Sequence, residues 1–474
     1  MPTLPDSTSQ AQPRSAFNVE PSGGCGWTAH PHCLLFLAFL IRLGVGAGLY
    51  LLAYGRDPVQ PLALLNQWLA TPDANSYHQQ AMLVLKYLAG GQEAIRLHMT
   101  PDHLTYPFLL GCVYRLLGPH PLWGVLINCL AFGGMGWLAH RLAIRLGQPP
   151  GRALALALGV SLWPFSLAYS STLMRESLFF LTAMGLLTGL AELMRTRSFR
   201  PRSDPWLALG LVAVFYLLTA LRPELGPLVL VVSLAGILWM VLLAQRGLRR
   251  LVGVRALAAI ASILTGLWLG SHASPQALAP QRVFHASSPG QAVQSTASPA
   301  VPAPAPNQRP QRNPAFAQSR SDPPHILQRR RDYAASGGLS LSAEAFTAPE
   351  DILDYLRLTA AGWRDLLLYP LPWQGPPSGG LAQRLVLTAL TLLWYSCLPG
   401  VLWGLAKGMG RSWPAAGLVG IWFLAIGSAM AFVVVNLGTL FRLRDLILLP
   451  ALLVFSPRPY LWLAKKTRRV SRAA

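Results

Sequence analysis

Residues 206–244 read WLALGLVAVFYLLTALRPELGPLVLVVSLAGILWMVLLA. Two apolar runs, 206–222 and 226–244, meet at the charged punctuation Arg222-Pro223-Glu224. Each approaches the roughly 20 residues that a helix needs to cross a bilayer, and each is far longer than an ordinary strand. Pro223 biases Arg222 away from helical dihedrals and ends the first run there. Inside lipid every backbone N–H and C=O must find a partner within the protein, so such runs are helices. The expected fold class is therefore all-α: a polytopic transmembrane helical bundle.

Working outward, similar runs occupy 33–53, 121–140, 153–172, 177–194, 252–271, 385–405, 413–435 and 446–463. Together they predict about ten spans. Composition agrees. Of the 474 residues, 53% are hydrophobic and 12% charged, against roughly 25% charged in a soluble domain; mean hydropathy is +0.40. These values exclude an ordinary soluble protein and a disordered one. The five cysteines have neither a CxxC pair nor zinc spacing, so no disulfide framework or metal cluster is indicated.

Net charge is +21, from 39 Lys+Arg against 18 Asp+Glu. The excess has a topological reading, not a nucleic-acid one. Arg141, Arg145 and Arg152 lie in one short loop. Arg195, Arg197, Arg200 and Arg202 lie in another. Arg246, Arg249, Arg250 and Arg255 form a third group, and Lys407 and Arg411 a fourth. With ten alternating spans, all of these share a face with both termini, and the positive-inside rule makes that face cytoplasmic. The expected division is a cytoplasmic tail (1–32), a seven-span core (33–271) whose first extracytoplasmic loop is 54–120, a long extracytoplasmic loop (272–384), three further spans (385–463) and a basic cytoplasmic tail (464–474). Residues 1–31 lack a signal-peptide pattern, so the first span is read as an anchor; the localisation expected, with the resemblance given below, is a bacterial inner membrane. Within the long loop, 296–314 is read as disordered on its Pro/Ala content. Arg329–Arg331 sit in a loop long enough to be exempt from the positive-inside rule. Residues 351–373 have helical periodicity, as for a helix lying on the interface.

The scarce acids carry more information. Asp73, Asp102, Glu176, Glu224 and Asp445 all fall at the extracytoplasmic ends of spans or in the loops there, beside Arg175, Arg222, Arg442 and Arg444. Charges near a bilayer are costly, so each asks for a reason. Their gathering at one surface suits chemistry on a ligand with a phosphate head and a lipid tail. Asp73 opens an amphipathic helix, as a cap or as a carboxylate base, with Tyr77 and His78 one turn on. His103 and Tyr106 belong to a second amphipathic segment, too short to span, in which Asp102 or Thr100 is a candidate cap. Arg175 and Glu176 are adjacent and diverge by about 100° on a helix, so they should take different partners. If 436–445 (NLGTLFRLRD) is extended, Arg442 and Arg444 share a face that suits bidentate phosphate binding. A metal set could be assembled from Asp73, His78, Asp102 and His103, but no HExxH-like spacing supports it, so no metal ligand is assigned; a divalent metal is not required by the sequence and the cofactor stays open.

These elements, in this order, resemble the glycosyltransferase-C superfamily of polytopic enzymes that use polyprenyl- or dolichyl-phosphate sugars, including protein O-mannosyltransferases and aminoarabinose transferases. The resemblance rests on Asp73 with Tyr77, on Tyr106-Pro107 followed by YRLLG at 114–118, on AHRLAIRLG at 139–147, and on SSTLMRESLFF, LTALRPE and GTLFRLRD. It covers about residues 33–244, with a further match near the C-terminus. Many members carry two adjacent acids in the first loop, whereas Ala74 and Asn75 follow Asp73 here.

The resemblance implies an inverting transfer. Asp73 would be the base; Tyr77, His78, His103, Tyr106, Arg175, Glu176, Arg222, Glu224, Arg442 and Arg444 would bind substrate. The partners implied are a polyprenyl-phosphate sugar, membrane lipids and an acceptor glycan, lipid or protein, and no nucleic acid. Two alternatives stay open. One is a polysaccharide polymerase or ligase using a lipid-pyrophosphate glycan. The other is a lipid-linked glycan transporter or flippase, for which Arg42, inside the first span, is the mid-span charge to examine.

Overall fold

The computed structural model describes residues 31–58, 60–62, 73–90, 104–195, 204–222, 225–243, 249–272, 351–368, 381–410, 414–434 and 437–462. Among these residues the chain is all-helical, without strands. The elements are α1 (Pro31–Arg56), α2 (Asp73–Leu88), α3 (Thr105–Leu117), α4 (Leu122–Arg145), α5 (Pro150–Ser161), α6 (Pro164–Ser170) and α7 (Glu176–Arg195). They continue with α8 (Asp204–Leu221), α9 (Gly226–Leu243), α10 (Arg249–His272), α11 (Ile352–Leu368), α12 (Leu381–Gly410), α13 (Pro414–Val433) and α14 (Leu437–Leu452).

Apart from 153–172, the apolar runs from 33–53 through 413–435 coincide with helix to within about five residues. Among the described residues four helical stretches are long and apolar enough to cross a membrane: Pro31–Arg56, Leu122–Arg145, Thr388–Lys407 and Ala415–Val433. A fifth arises if α5 and α6, bent by 50°, are one broken span. Shorter apolar helices occupy Pro205–Leu221, Gly226–Trp239 and Arg255–Leu269.

Two expectations are corrected here. Residues 153–172 do not form one straight helix, because Pro164 lacks an N–H and restarts the chain as α6 after a break at Leu162–Trp163. The last run is also displaced. Helix α14 covers 437–452 and a turn follows at 453–456, so 446–463 is not one continuous helix.

Small residues set the closest helix crossings. A Cβ at Gly266 of α10 would meet the Val212 carbonyl of α8 at 2.6 Å. One at Gly111 of α3 would meet the Val84 side chain of α2 at 2.6 Å. The second contact matters for the site, because it holds the short α2–α3 pair together. Helix α11 docks on α13 through Trp363, whose Nε1 donates to Ser428 Oγ at 3.0 Å, while Ile352, Leu353 and Leu356 remain exposed.

Arg42 is 1% exposed inside α1. Its guanidinium donates to the Ser161 and Ser166 carbonyls and, at 2.9 Å each, to the Ser166 and Ser170 hydroxyls. It also lies 4.3 Å from the Phe132 ring centroid. A broken helix leaves carbonyls without intrahelical partners; Arg42 satisfies them. The mid-span charge is thus held inside the bundle, against the α5–α6 break.

Candidate functional site

The candidate site is built where α7 begins and α8 ends. The C-terminal turn of α8 leaves carbonyls that the helix itself cannot satisfy. Thr105 Oγ1, at the start of α3, donates to the Ala220 carbonyl at 2.6 Å. Arg175 Nη1 donates to the Leu221 carbonyl at 3.0 Å. The α2–α3 pair is thus anchored to the same end of the bundle.

Glu176 opens α7, and Arg222 follows the last residue of α8. An acid at a helix N-terminus and a base at a helix C-terminus each suit the local dipole. They form an ion pair with Arg222 Nη2 to Glu176 Oε1 at 3.0 Å, and both side chains are buried, at 4% and 2% exposure. Phe179 lies beneath, its ring centroid 5.8 Å from the Arg222 guanidinium carbon. Arg175 precedes the helix that Glu176 opens, and the two make different contacts: Arg175 with the Leu221 carbonyl and Glu176 with Arg222.

Two tyrosines lean on this pair. Tyr77 of α2 and Tyr106 of α3 are buried and meet edge to face, with centroids 5.3 Å apart. Burial pushes the Tyr77 phenol up to about 12; Arg175 opposes that rise, Glu176 and Asp73 add to it, and Arg222 opposes it. Asp73, Arg175, Glu176 and Arg222 thus all act on the Tyr77 phenol. Burial, and next the neighbouring Tyr114, holds the Tyr106 phenol well above its ordinary value. Its hydroxyl donates to Asn128 Oδ1 at 3.3 Å, and Asn128 Nδ2 donates to the Thr172 carbonyl at 2.6 Å. At neutral pH both phenols are neutral O–H groups.

His78 lies beside this region. Its Nδ1 is 2.8 Å from the Tyr114 hydroxyl. Burial, followed by the charge of His120, lowers the His78 pKa, while burial raises that of Tyr114. Both groups are thereby favoured in their neutral forms, and the direction of the hydrogen bond between them follows the imidazole tautomer.

Arg444 and Asp445 form a second buried group, each 1% exposed. Trp163 Nε1 donates to Asp445 Oδ1 at 3.2 Å. The Arg444 guanidinium carbon lies 5.5 Å from the Phe165 centroid and 5.7 Å from that of Trp394. Tyr169, at the end of α6, interacts with Arg444, whereas Arg175 and Glu176, a few residues on, serve the first group. The α6–α7 connection thus links the two.

The expected shared face of Arg442 and Arg444 is corrected. Residues 437–452 are helical rather than extended, so positions two apart diverge by about 200°. Glu224, His103, Asp102 and Thr100 lie outside the described residues, as do the side chain of Arg442, Arg329–Arg331 and 296–314. Among the described residues no group of three His, Cys, Asp or Glu could hold a metal ion.

Asn128, which links α3 to the α6–α7 connection, was not among the candidates read from sequence. A lone amide inside the run 121–140 is the signal that would have found it. Comparison with protein-family models, curated proteins and solved structures returns no match.

Proposed function

We propose that this chain is an integral-membrane glycosyltransferase that moves a sugar from a polyprenyl-phosphate donor to an acceptor on the extracytoplasmic face. The observation that carries this reading is the convergence of Asp73 and Tyr77 with Arg175, Glu176 and Arg222 at one end of a helical bundle. Ten spans, cytoplasmic termini and a bacterial inner membrane belong to the same proposal. Its support is charge placement: the Arg141 and Arg145 end of α4 lies with the Glu192 end of α7, away from the candidate site.

In the proposed reaction the Asp73 carboxylate takes the acceptor hydroxyl proton. The acceptor oxygen then bonds to the anomeric carbon as the bond from that carbon to the phosphate oxygen breaks. The lipid phosphate leaves with the electron pair, and configuration inverts. Arginine charge near the leaving phosphate stabilises the transition state. Arg442 and Arg444 are not assigned as a joint clamp.

The broken span α5–α6 favours a second reading, a lipid-linked glycan transporter, because discontinuous helices mark transporter sites. Against it, the Arg42 guanidinium is spent on the broken helix itself. The test is an assay in proteoliposomes with a polyprenyl-phosphate sugar. Enzyme activity predicts released lipid phosphate and an Asp73→Asn variant that binds donor but turns over about 10²–10⁴-fold more slowly. Normal turnover in that variant removes Asp73 as base. Translocation of intact donor without cleavage replaces the enzyme with the transporter.

A further inference from the structure

We propose that the end of the bundle opposite the candidate site binds the phosphate headgroup of an anionic membrane lipid. A cleft of about 230 Å³ lies there, between the α4–α5 turn, the end of α12, the start of α13 and the turn after α14. Arg152, Lys407 and Arg458 line it together with Gln148, Trp403 and Ser456, and among the described residues no Asp or Glu does.

Basic residues at span ends are an ordinary result of topology. Two further features make this place a site. The first is concavity: the cations line a recess and do not simply project from a convex surface. The second is built polarity. Gln148 Nε2 donates to the Leu453 carbonyl at 3.0 Å and Arg152 to the Phe455 carbonyl, so the turn after α14 is pinned against the α4–α5 turn. That contact holds the Arg152 guanidinium in the wall and leaves its other N–H donors for a ligand. Helix α13 begins at Pro414, and Ala416 lines the cleft, so the positive end of a helix dipole adds to the field.

The depth of the cleft argues for a lipid over a soluble anion. Lys407 is the last residue of one candidate span and Ala415 the first of the next. The recess therefore lies where hydrocarbon gives way to headgroups. Trp403 and Leu402, each 43% exposed on α12, continue from it along the apolar surface. Lys407 Nζ stands 5.6 Å from the Trp403 ring centroid, a basic head over an apolar plane. Basic recesses of this kind between membrane helices hold phosphate headgroups while the acyl chains follow the helix surface.

The experiment uses the full-length chain purified in detergent. Dioleoylphosphatidylglycerol, dioleoylphosphatidylcholine and inorganic phosphate are each titrated, with thermal stability and native mass spectrometry as readouts. Phosphatidylglycerol should raise the melting temperature and remain bound, and phosphatidylcholine should do neither. A Lys407→Gln/Arg458→Gln variant should bind phosphatidylglycerol about 30-fold more weakly, as expected for two surface cations. Arg152 is left intact in that variant because it also holds the backbone. If the double variant folds poorly, Arg458→Gln alone must still weaken retention. Equal retention by wild type and variant overturns the site. A stabilisation that inorganic phosphate reproduces at the same concentration overturns the lipid assignment.

Discussion

The two ends of the bundle handle charge in opposite ways. At the candidate site, Glu176 and Arg222 pair at 3.0 Å with almost no exposure. At the other end, Glu192 meets Arg145 at 2.5 Å and Arg141 at 3.5 Å, yet the arginine side chains are 28% and 46% exposed. The geometry of pairing is similar and the surroundings are not. A buried pair has lost its hydration, so each partner depends on the other. An exposed pair exchanges one hydrated state for another and gains little. Charge at the more exposed end is thus weakly coupled to its partners, whereas each member of the buried Glu176–Arg222 pair is held by the other.

The comparison breaks first if the buried pair proves replaceable. Glu176→Ala should cost about 3–5 kcal/mol, because Arg222 is left in an apolar setting. Thermal unfolding in detergent measures this, and the Glu176→Ala/Arg222→Ala double variant should lose much less than the sum of the singles. A cost below about 1 kcal/mol would place the pair in the same class as the exposed one.

Next in size is Asn128→Ala. It leaves the Thr172 carbonyl without its donor and the Tyr106 hydroxyl without its acceptor, and should cost about 1–3 kcal/mol. Donor binding should weaken as well, since the α2–α3 pair loses a tether. Unchanged stability would show that Asn128 is a bystander.

Acid should then separate the two ends. The His78 pKa is lowered from the ordinary imidazole value of 6.5, chiefly by burial. The unfolded chain therefore binds this proton more readily than the folded one. Stability is full above about 6.5 and falls as pH drops through that value towards the lowered one. Melting temperature followed against pH should show this loss, and His78→Gln should flatten it. A His78→Gln profile identical to wild type would assign the pH dependence elsewhere. The smallest effect belongs to Glu192→Gln, which should change stability by at most about 1 kcal/mol, and less at high salt.

Legibility in the sequence followed the same division. The apolar runs could be read directly, since they are local in the chain and repeated. The α2 start at Asp73 and the end of α8 at Leu221, just ahead of the Arg222-Pro223 pair, were also readable, from backbone restrictions of single residues, whereas Arg175 lies before α7 and not on one helix with Glu176. The errors came where local rules compete. An extended 436–445 was allowed by Gly438, yet 437–452 is helical, where positions two apart do not share a face. The break at Pro164 was marked by a proline, but the apolar run continued through it. What fills such a break is non-local: Arg42 lies more than a hundred residues away from Ser161 and Ser166.

The sequence by itself determined an all-helical chain with several helices long and apolar enough to cross a membrane, because hydrophobic length is a sum over neighbours. It also nominated the charged residues at one end, because charge is expensive near lipid and rare in this composition. Only the tertiary structure decided which of them meet. It paired Glu176 with Arg222, brought Tyr77 and Tyr106 together across α2 and α3, and placed Arg444 and Asp445 in a separate aromatic setting. Partners in a bundle are chosen by helix packing and by where helices end, and neither is encoded at any single position.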